Sequence, residues 1–470
     1  MRLITLALLA TIAFTASAAD FQIAEDCMAV VDGERTFILG LYENPEDDAV
    51  LQAAKAAGIN LVQTRQDTAA LDRLHAQGLW AWINTGYTID FGGQPDTKAE
   101  QLAAMVDAYA GHPAMLVWEV PDEALWNAWY GAITWRWHTE PGQLIEAINA
   151  VTDEAQRNEL RAQRDESIRL RGIGYFAESE ALADSIWKSL GKEPPHPDLN
   201  VSNAAERAAT LAEGMLAGYK RLREIDPHHP VWMNHAPRNS IAQLAVFNEA
   251  ADIVGCDIYP LPVSPRVGHS DLMDKTMTSV GAYTRRMQEA APGKPVWMVL
   301  QGFGWDDIQE NGEREGELGR PTREQTRFMA YDTIVNGARG ILYWGTMAVE
   351  KDSPFFADLL AVVKELSDLQ PVLSAPDADL DITVTLEETS GSIDRGVRVL
   401  PKQVGDKLWL IVVNEWSEPL TYTISGLGDA GGQTFAVHGA EDGGPRPTLR
   451  DGSLSFTIPP QSVQLLAPGG

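Results

Sequence analysis

Eight times between residues 36 and 345 a short apolar segment is followed by a stretch of helical periodicity, and this alternation constrains the fold more than any other feature of the chain. The strands it predicts are Phe37–Leu41, Asn60–Thr64, Leu79–Asn84, Met115–Val120, Val231–His235, Ile253–Ile258, Val296–Leu300 and Gly340–Trp344. Short apolar runs bounded by turn residues suit strands buried on both faces, and the segments between them suit the helices that cover those faces. Helices are predicted over segments such as Asp47–Ala57, Lys98–Ala110, Ile241–Ala250 and Arg323–Asn336, and several of the helical segments end in a glycine where a C-cap is expected: Gly58, Gly78, Gly111 and Gly337. Repeated βα units over about 340 residues fit a closed barrel whose active site lies at the C-terminal ends of the strands. An open doubly wound sheet is the alternative; it would carry a Gly-rich phosphate turn after its first strand, where this chain has Gly40-Leu41-Tyr42-Glu43-Asn44.

Two stretches break the repeat. Between the fourth and fifth strands run more than a hundred residues, Pro121 to Pro230, with a Trp-rich opening and a charged helical segment around Ala147–Leu190. A connection of that length at the catalytic end forms a lid or a wall of the cleft, so residues 124–229 read as an insertion. After a last helix near Phe356–Leu369, Pro371 and Pro376 close the barrel, and the pattern turns to alternating strands such as Leu408–Asn414, Thr421–Ile424 and Ser453–Ile458 with Gly-rich turns. The expected class is thus α/β: a (β/α)8 TIM barrel over residues 20–376, with a long helical insertion after strand 4, and a small C-terminal antiparallel β-sandwich over 377–470. Upstream, Met28–Leu39 with Asp32-Gly33 at its centre is expected to form a hairpin under the barrel.

Residues 1–19 stand apart from this core. Arg2, the apolar run Leu3–Phe14 and Ala16-Ser17-Ala18 have the order of a cleaved secretory signal peptide, so a secreted or periplasmic protein free of the membrane is expected. An anchor helix needs about 20 apolar residues, and Thr15 and Ser17 leave the run short. The chain holds 66 acidic and 37 basic residues for a net charge of -29, which argues against nucleic acid as a partner because a duplex-binding surface needs clustered Lys and Arg. Cys27 and Cys256 are the only cysteines; Cys256, inside an apolar run, reads as a buried thiol, and no disulfide framework is expected. With no Cys-x-x-Cys or His-Glu-x-x-His cluster, neither a metal nor an organic cofactor is expected. Oligomeric state leaves no mark in the sequence.

Strand ends are where barrel chemistry sits. The first strand delivers Tyr42 and Glu43 there, the second Arg65, the third Asn84 and Tyr87, and the fourth Glu119, Asp122 and Glu123. The fifth delivers Asn234 and His235, the sixth Asp257 and Tyr259, the seventh Gln301 and Trp305, and the eighth Trp344. A ring of carboxylates, amides and aromatics suits carbohydrate: aromatic faces take the C–H faces of sugars, amides and acids bind hydroxyls, and paired carboxyls supply acid and base for glycosidic cleavage. Trp126, Trp129, Trp135 and Trp137 follow the fourth strand as outer subsites or as the apolar seam of the insertion. Glu119, on the strand itself, reads as a satisfied interior acid, and His235 as a hydrogen-bonding wall.

The run Gly111-His112-Pro113-Ala114-Met115-Leu116-Val117-Trp118-Glu119-Val120-Pro121-Asp122-Glu123 resembles the fourth strand of the large retaining clan of (β/α)8 glycoside hydrolases. Asp257-Ile258-Tyr259-Pro260, Lys294-Pro295-Val296-Trp297, the strand-ending Trp344 and the trailing sandwich are also similar to that clan. The resemblance implies Glu123 as general acid/base, Asp122 as its neighbour holding a sugar hydroxyl, and Trp344 as the floor of the subsite before the scissile bond. It departs from the pattern at the seventh strand, where the nucleophilic Glu is replaced by Gln301. An amide oxygen is a poor nucleophile and no base. Three substitutes are open. Asp257 is one, giving inversion if it stands roughly 6.5–9.5 Å from Glu123. Asp122 in a substrate-assisted reaction is the second, and Asp306 or Asp307 reaching back is the third.

The sequence therefore points to a secreted enzyme of the glycoside hydrolase kind. Its catalytic candidates are Glu123, Asp257 and Asp122, and its substrate-binding candidates Trp344, Tyr259, Gln301, Asn84, Arg65, His235, Trp305 and Trp126. Its partner is a poly- or oligosaccharide. A carbohydrate-binding barrel without catalysis is the alternative that Gln301 motivates. A metal-dependent hydrolase is disfavoured because the strand ends lack a His-x-His pair.

Overall fold

Eight strands close into a parallel barrel: β1 (Ile38–Leu41), β2 (Leu61–Thr64), β3 (Trp80–Asn84), β4 (Met115–Glu119), β5 (Val231–His235), β6 (Ile253–Ile258), β7 (Trp297–Gln301) and β8 (Gly340–Trp344). Each pairs with its neighbour in sequence, and β8 returns to β1 through the pairs Gly340 with Ile38 and Tyr343 with Leu41. This computed structural model describes residues 18–263, 269–308, 319–392, 396–428, 434–439, 449 and 451–469. All but the last two residues of the expected leader lie outside them. Every residue of β4 through β7 is buried, as continuous apolar strands under a helical layer must be.

Helix ends follow local chemistry. Asp47 caps Asp48–Ala57 by accepting the Ala49 N–H at 2.7 Å, and Gly58 leaves that helix at φ 111°. Thr322 and Gln325 form a reciprocal capping box at the start of Arg323–Val335. Gly78 and Gly337 take the expected left-handed φ, whereas Gly111 does not, because the helix Pro95–Tyr109 ends on a right-handed Ala110. Inside the barrel Tyr42, Trp82, Trp232 and Trp297 meet ring to ring, with successive centroids 5.0, 5.6 and 6.0 Å apart. These rings fill the interior and give the strand ends a rigid floor. Beneath it Ala29–Val31 and Glu34–Thr36 form the expected hairpin with Asp32 and Gly33 both at positive φ, and Phe21–Ile23 pairs on as a third strand.

The helical insertion is shorter than residues 124–229. Ala124–Ile133, a π-helical turn Thr134–Thr139, Glu140–Asn149, Glu154–Gly172 and Phe176–Ser189 stand out from the barrel. Leu144, Ile148, Leu160, Ala183, Ile186 and Trp187 give them a small core of their own. The last helix of the connection, Ala204–Ile225, belongs to the barrel's outer layer, where Met215 and Leu222 join the main core. Gly218 lets it lie against the turn after β3, since a Cβ there would sit 1.8 Å from the Ile89 carbonyl oxygen.

Two antiparallel sheets form the C-terminal sandwich. Thr383–Leu386, Leu420–Ser425 and Leu454–Ile458 make one; Val397–Val404, Lys407–Asn414, Ser462–Pro468 and Phe435–Val437 make the other. Leu400, Ile411, Val413 and Leu465 of the second sheet join the barrel's core. The two cysteines are free, with Cys256 buried on β6 as expected. Among the described residues no helix is long and apolar enough to cross a membrane.

Candidate active site

At the C-terminal mouth of the barrel, Asp122, Glu123, Asn234, Asp257, Tyr259, His269, Trp305, Ile308 and Trp344 line a pocket of about 240 Å³. Strand register brings them together: β4 delivers the acids, β5 Asn234, β6 Asp257 and Tyr259, and β8 Trp344, which pairs with the end of β7. Six of the candidates from sequence, Glu123, Asp257, Asp122, Trp344, Tyr259 and Trp305, therefore share one cavity.

The acids are arranged in depth. Deepest lies Glu119, fully buried at the end of β4; Tyr42 Oη donates to its Oε1 at 2.7 Å, and Trp82 Nε1 and Asn84 Nδ2 donate to its Oε2 at 3.1 and 2.9 Å. Burial and the neighbouring Asp122 charge push its pKa up to about 8 against those three donors. Asp122 accepts from Asn234 Nδ2 at 2.9 Å and is raised to about 6, chiefly by burial. Glu123 begins the helix Ala124–Ile133 from a left-handed backbone, φ 52° and ψ 32°, its N–H donating to the Asn234 carbonyl at 3.2 Å. That conformation is costly for a residue with a Cβ. It places the Glu123 carboxyl in hydrogen-bond contact with the Asp257 carboxyl. Burial and then the Asp122 charge raise Glu123 to about 7, and burial followed by the Glu123 charge raises Asp257 well above the usual carboxylate range. Two carboxyls in such contact hold a proton between them and titrate as a pair.

Aromatic rings form the wall. Trp344 stacks on Tyr259 with centroids 5.4 Å apart and planes 16° from parallel, and His269 covers the other side of Tyr259 at 4.8 Å and 6°. Trp305 meets Tyr259 edge-on at 6.4 Å. Trp344 and Trp305 are only partly buried, which leaves ring surface to the cavity. Asn84 and the exposed Arg65 line a neighbouring cleft of about 940 Å³ with Glu43, Thr64, Met347 and Lys351, so Asn84 touches both the Glu119 carboxyl and this outer cleft.

Several expectations are corrected. Gln301 is wholly buried and outside the pocket; its Oε1 accepts the Leu261 N–H at 3.0 Å, and its Nε2 donates to the Leu261 and Phe303 carbonyls at 2.6 and 3.0 Å. It holds backbone, not substrate. His235 is also buried away from the pocket, its Nε2 bonded to Asn248 Oδ1 at 2.8 Å and burial lowering its pKa to about 4. Trp126 does not line the pocket either, because it stacks on Tyr130 at 3.8 Å along the outer helix. Asp307 cannot reach back, since it is paired with Arg320 and accepts the Gly304 N–H at 2.7 Å. Asp306 lies outside the lining. The hydrogen-bond contact of Glu123 with Asp257 is far tighter than the spacing of an inverting pair. His269 is the residue the sequence did not flag. It follows no motif, and only the return of the loop after β6 brings it to the pocket.

Among the described residues no group of three or more His, Cys, Asp and Glu is disposed to hold a metal ion. No family model matches the sequence, and no curated protein matches it closely enough to count as a relative. Solved structures do match in fold. A glycoside hydrolase family 5 protein from Bacteroides vulgatus is 13% identical with a TM-score of 0.53, covering 96% of this chain and 93% of its own. A structure described as a glycoside hydrolase gives 13% identity and a TM-score of 0.51 over 96% of each chain. A GH42 β-galactosidase from G. stearothermophilus gives 9% and 0.52 over 96% and 99%. The chain has the fold of the (β/α)8 glycoside hydrolases, barrel and trailing sandwich together, as its sequence motifs anticipate.

Proposed function

We propose that this protein is a glycoside hydrolase that cleaves a poly- or oligosaccharide at the Glu123–Asp257 pair. The observation that carries the reading is that pair, two carboxyls in hydrogen-bond contact in a pocket walled by Trp344, Tyr259 and Trp305. Glycosidic cleavage asks for one carboxyl that is protonated at working pH and a second that is ionised, and a proton-sharing pair supplies both. Glu123 hands its proton to the leaving oxygen, Asp257 provides the second carboxyl function, and Asp122, fixed by Asn234, takes a sugar hydroxyl. Trp344 gives the ring its apolar floor. Because the pair is closely set, the reading favours retention with Asp257 as the second carboxyl over the water-separated inverting arrangement. The leader-like residues 1–19 motivate a secreted or periplasmic site of action.

A second reading has its own support: Gln301, where the clan keeps its nucleophile, is committed to the backbone at both ends of its amide. On that reading the barrel binds glycans without cleaving them. Reducing-end release from neutral, amino and acidic polysaccharides, together with aryl β-galactosides because a similar structure is a β-galactosidase, separates the two. Release lost in Glu123→Gln supports the enzyme. Saturable binding with no release, unchanged in the variant, supports the binding barrel.

A further inference from the structure

We infer that His269 is a positioning residue for the Asp257 carboxyl, a neutral imidazole locked in the Nε2–H tautomer that steers the shared proton onto Glu123. The inference rests on the glycosidase reading. The lock is a backbone contact: the Tyr259 N–H donates to His269 Nδ1 at 3.0 Å. An amide N–H only donates, so Nδ1 must present its lone pair and the ring hydrogen sits on Nε2. Rotation is blocked by the flat stack on Tyr259, 4.8 Å and 6°, and by the edge of Trp305 at 5.9 Å.

So fixed, Nε2 stands 3.8 Å from Asp257 Oδ2. That is longer than a hydrogen bond, as contacts in a free site often are before a ligand closes them. The groups around the pair are Asp122 after β4, Arg238 after β5, Cys256 on β6 and Tyr259 just after it. Burial and Arg238 hold His269 down to about 3, so the ring stays neutral over the whole working range. A neutral donor on Oδ2 favours the ionised form of Asp257 without adding a charge that would also ionise Glu123. In the free site the contact between the carboxyls lowers Glu123 and raises Asp257, so the proton rests on the Asp257 side; closing the His269 contact to Oδ2 moves it toward Glu123, where the leaving oxygen needs it. Asp257 Oδ1 is buried and accepts no N–H or hydroxyl hydrogen bond from the protein.

The test has two parts. Long-range proton–nitrogen NMR of the full chain reads the His269 tautomer directly, and a neutral Nε2–H ring from about pH 5 to pH 8 is expected; an Nδ1–H ring or protonation within that range would overturn the inference. The second part follows the pH profile of kcat/KM on the glycoside the wild type hydrolyses best. His269→Phe keeps the stack but loses both nitrogen contacts, and its acidic limb should move up by about one pH unit, a roughly tenfold loss below the optimum. His269→Gln, which restores a donor near Nε2, should return it. A uniform fall at every pH, without movement of the limb, would make His269 a wall and nothing more. Were the wild type to hydrolyse no glycoside, the enzyme reading would fail, while carboxyl-carbon NMR titration of the pair in wild type and His269→Phe would still decide the role of His269.

Discussion

Gln301 and Leu261 are joined twice, Leu261 N–H to Gln301 Oε1 at 3.0 Å and Gln301 Nε2 to the Leu261 carbonyl at 2.6 Å. The side chain at the seventh-strand position thus works as a clasp that holds the loop after β6 against β7. Restoring a carboxylate by Gln301→Glu would set negative oxygens against the Leu261 and Phe303 carbonyls. A stability loss of roughly 1–3 kcal/mol is expected, with no gain in rate. Urea denaturation beside glycoside turnover checks it; a stable variant with a faster rate would show that the loop yields and that the position accepts a nucleophile.

Glu123→Gln keeps the shape of the proton donor and removes its acidity. The turnover number should fall by about 10²–10⁴-fold for substrates with poor leaving groups, the usual contribution of a general acid. An activated aryl leaving group, which needs little protonation, should be far less affected. Steady-state kinetics on both substrate types measure the contrast, and an equal loss on both would remove Glu123 from the acid role.

Acidity within the mouth also makes stability depend on pH. Glu119 has a folded pKa of about 8 against an unfolded value of 4.5, so its share of stability is complete below about pH 4.5 and is lost as pH rises through about 8. Glu119→Gln still accepts from Trp82 and Asn84 while its amide donates to Tyr42. The variant should gain roughly 1–3 kcal/mol on the wild type between pH 5 and pH 8.5. Denaturation at the two pH values measures it, and parallel curves would mean that Glu119 does not take up a proton.

The barrel was legible because its signal is local. Apolar runs such as Val231–His235 and Ile253–Ile258 are bounded by turn residues, and each observed strand of the barrel begins and ends within one residue of the predicted segment. The site was legible only in part. Position along a strand gives Glu123, Asp257 and Trp344 their common level, but which way a side chain turns there depends on partners far away in sequence. Gln301 turns to Leu261, His235 turns to Asn248, and His269 arrives through a loop with no periodic pattern. The insertion differs for a related reason: the length of the connection puts Ala204–Ile225 with the lid, while its small residues Ala208, Ala212 and Gly218 allow close packing on the barrel.

At the seam between barrel and sandwich lies a second carboxyl pair, Asp332 in hydrogen-bond contact with Glu415. Glu415 also accepts from Arg285 Nη1, Asn336 Nδ2 and Arg398 Nε, each at 3.2 Å. Burial and the Glu415 charge raise Asp332 well above its usual 3.8, so its stabilising share is whole at acid pH and fades as pH rises. Asp332→Asn should melt higher than the wild type at about pH 8.5, by roughly 1 kcal/mol, and should not do so at about pH 4. Thermal melts at both values test the sign. A variant less stable at high pH would show that the pair is held fully ionised by its cations.

The left-handed backbone at Glu123 carries a consequence for how this sequence can change over time. At φ 52° a glycine would sit at ease, whereas a glutamate costs on the order of 1 kcal/mol. The glutamate is thus held against the preference of its own backbone. A library of this protein selected for heat resistance alone should drift at residue 123 toward Gly or Asn. A library selected for turnover should keep Glu there and recover the stability elsewhere.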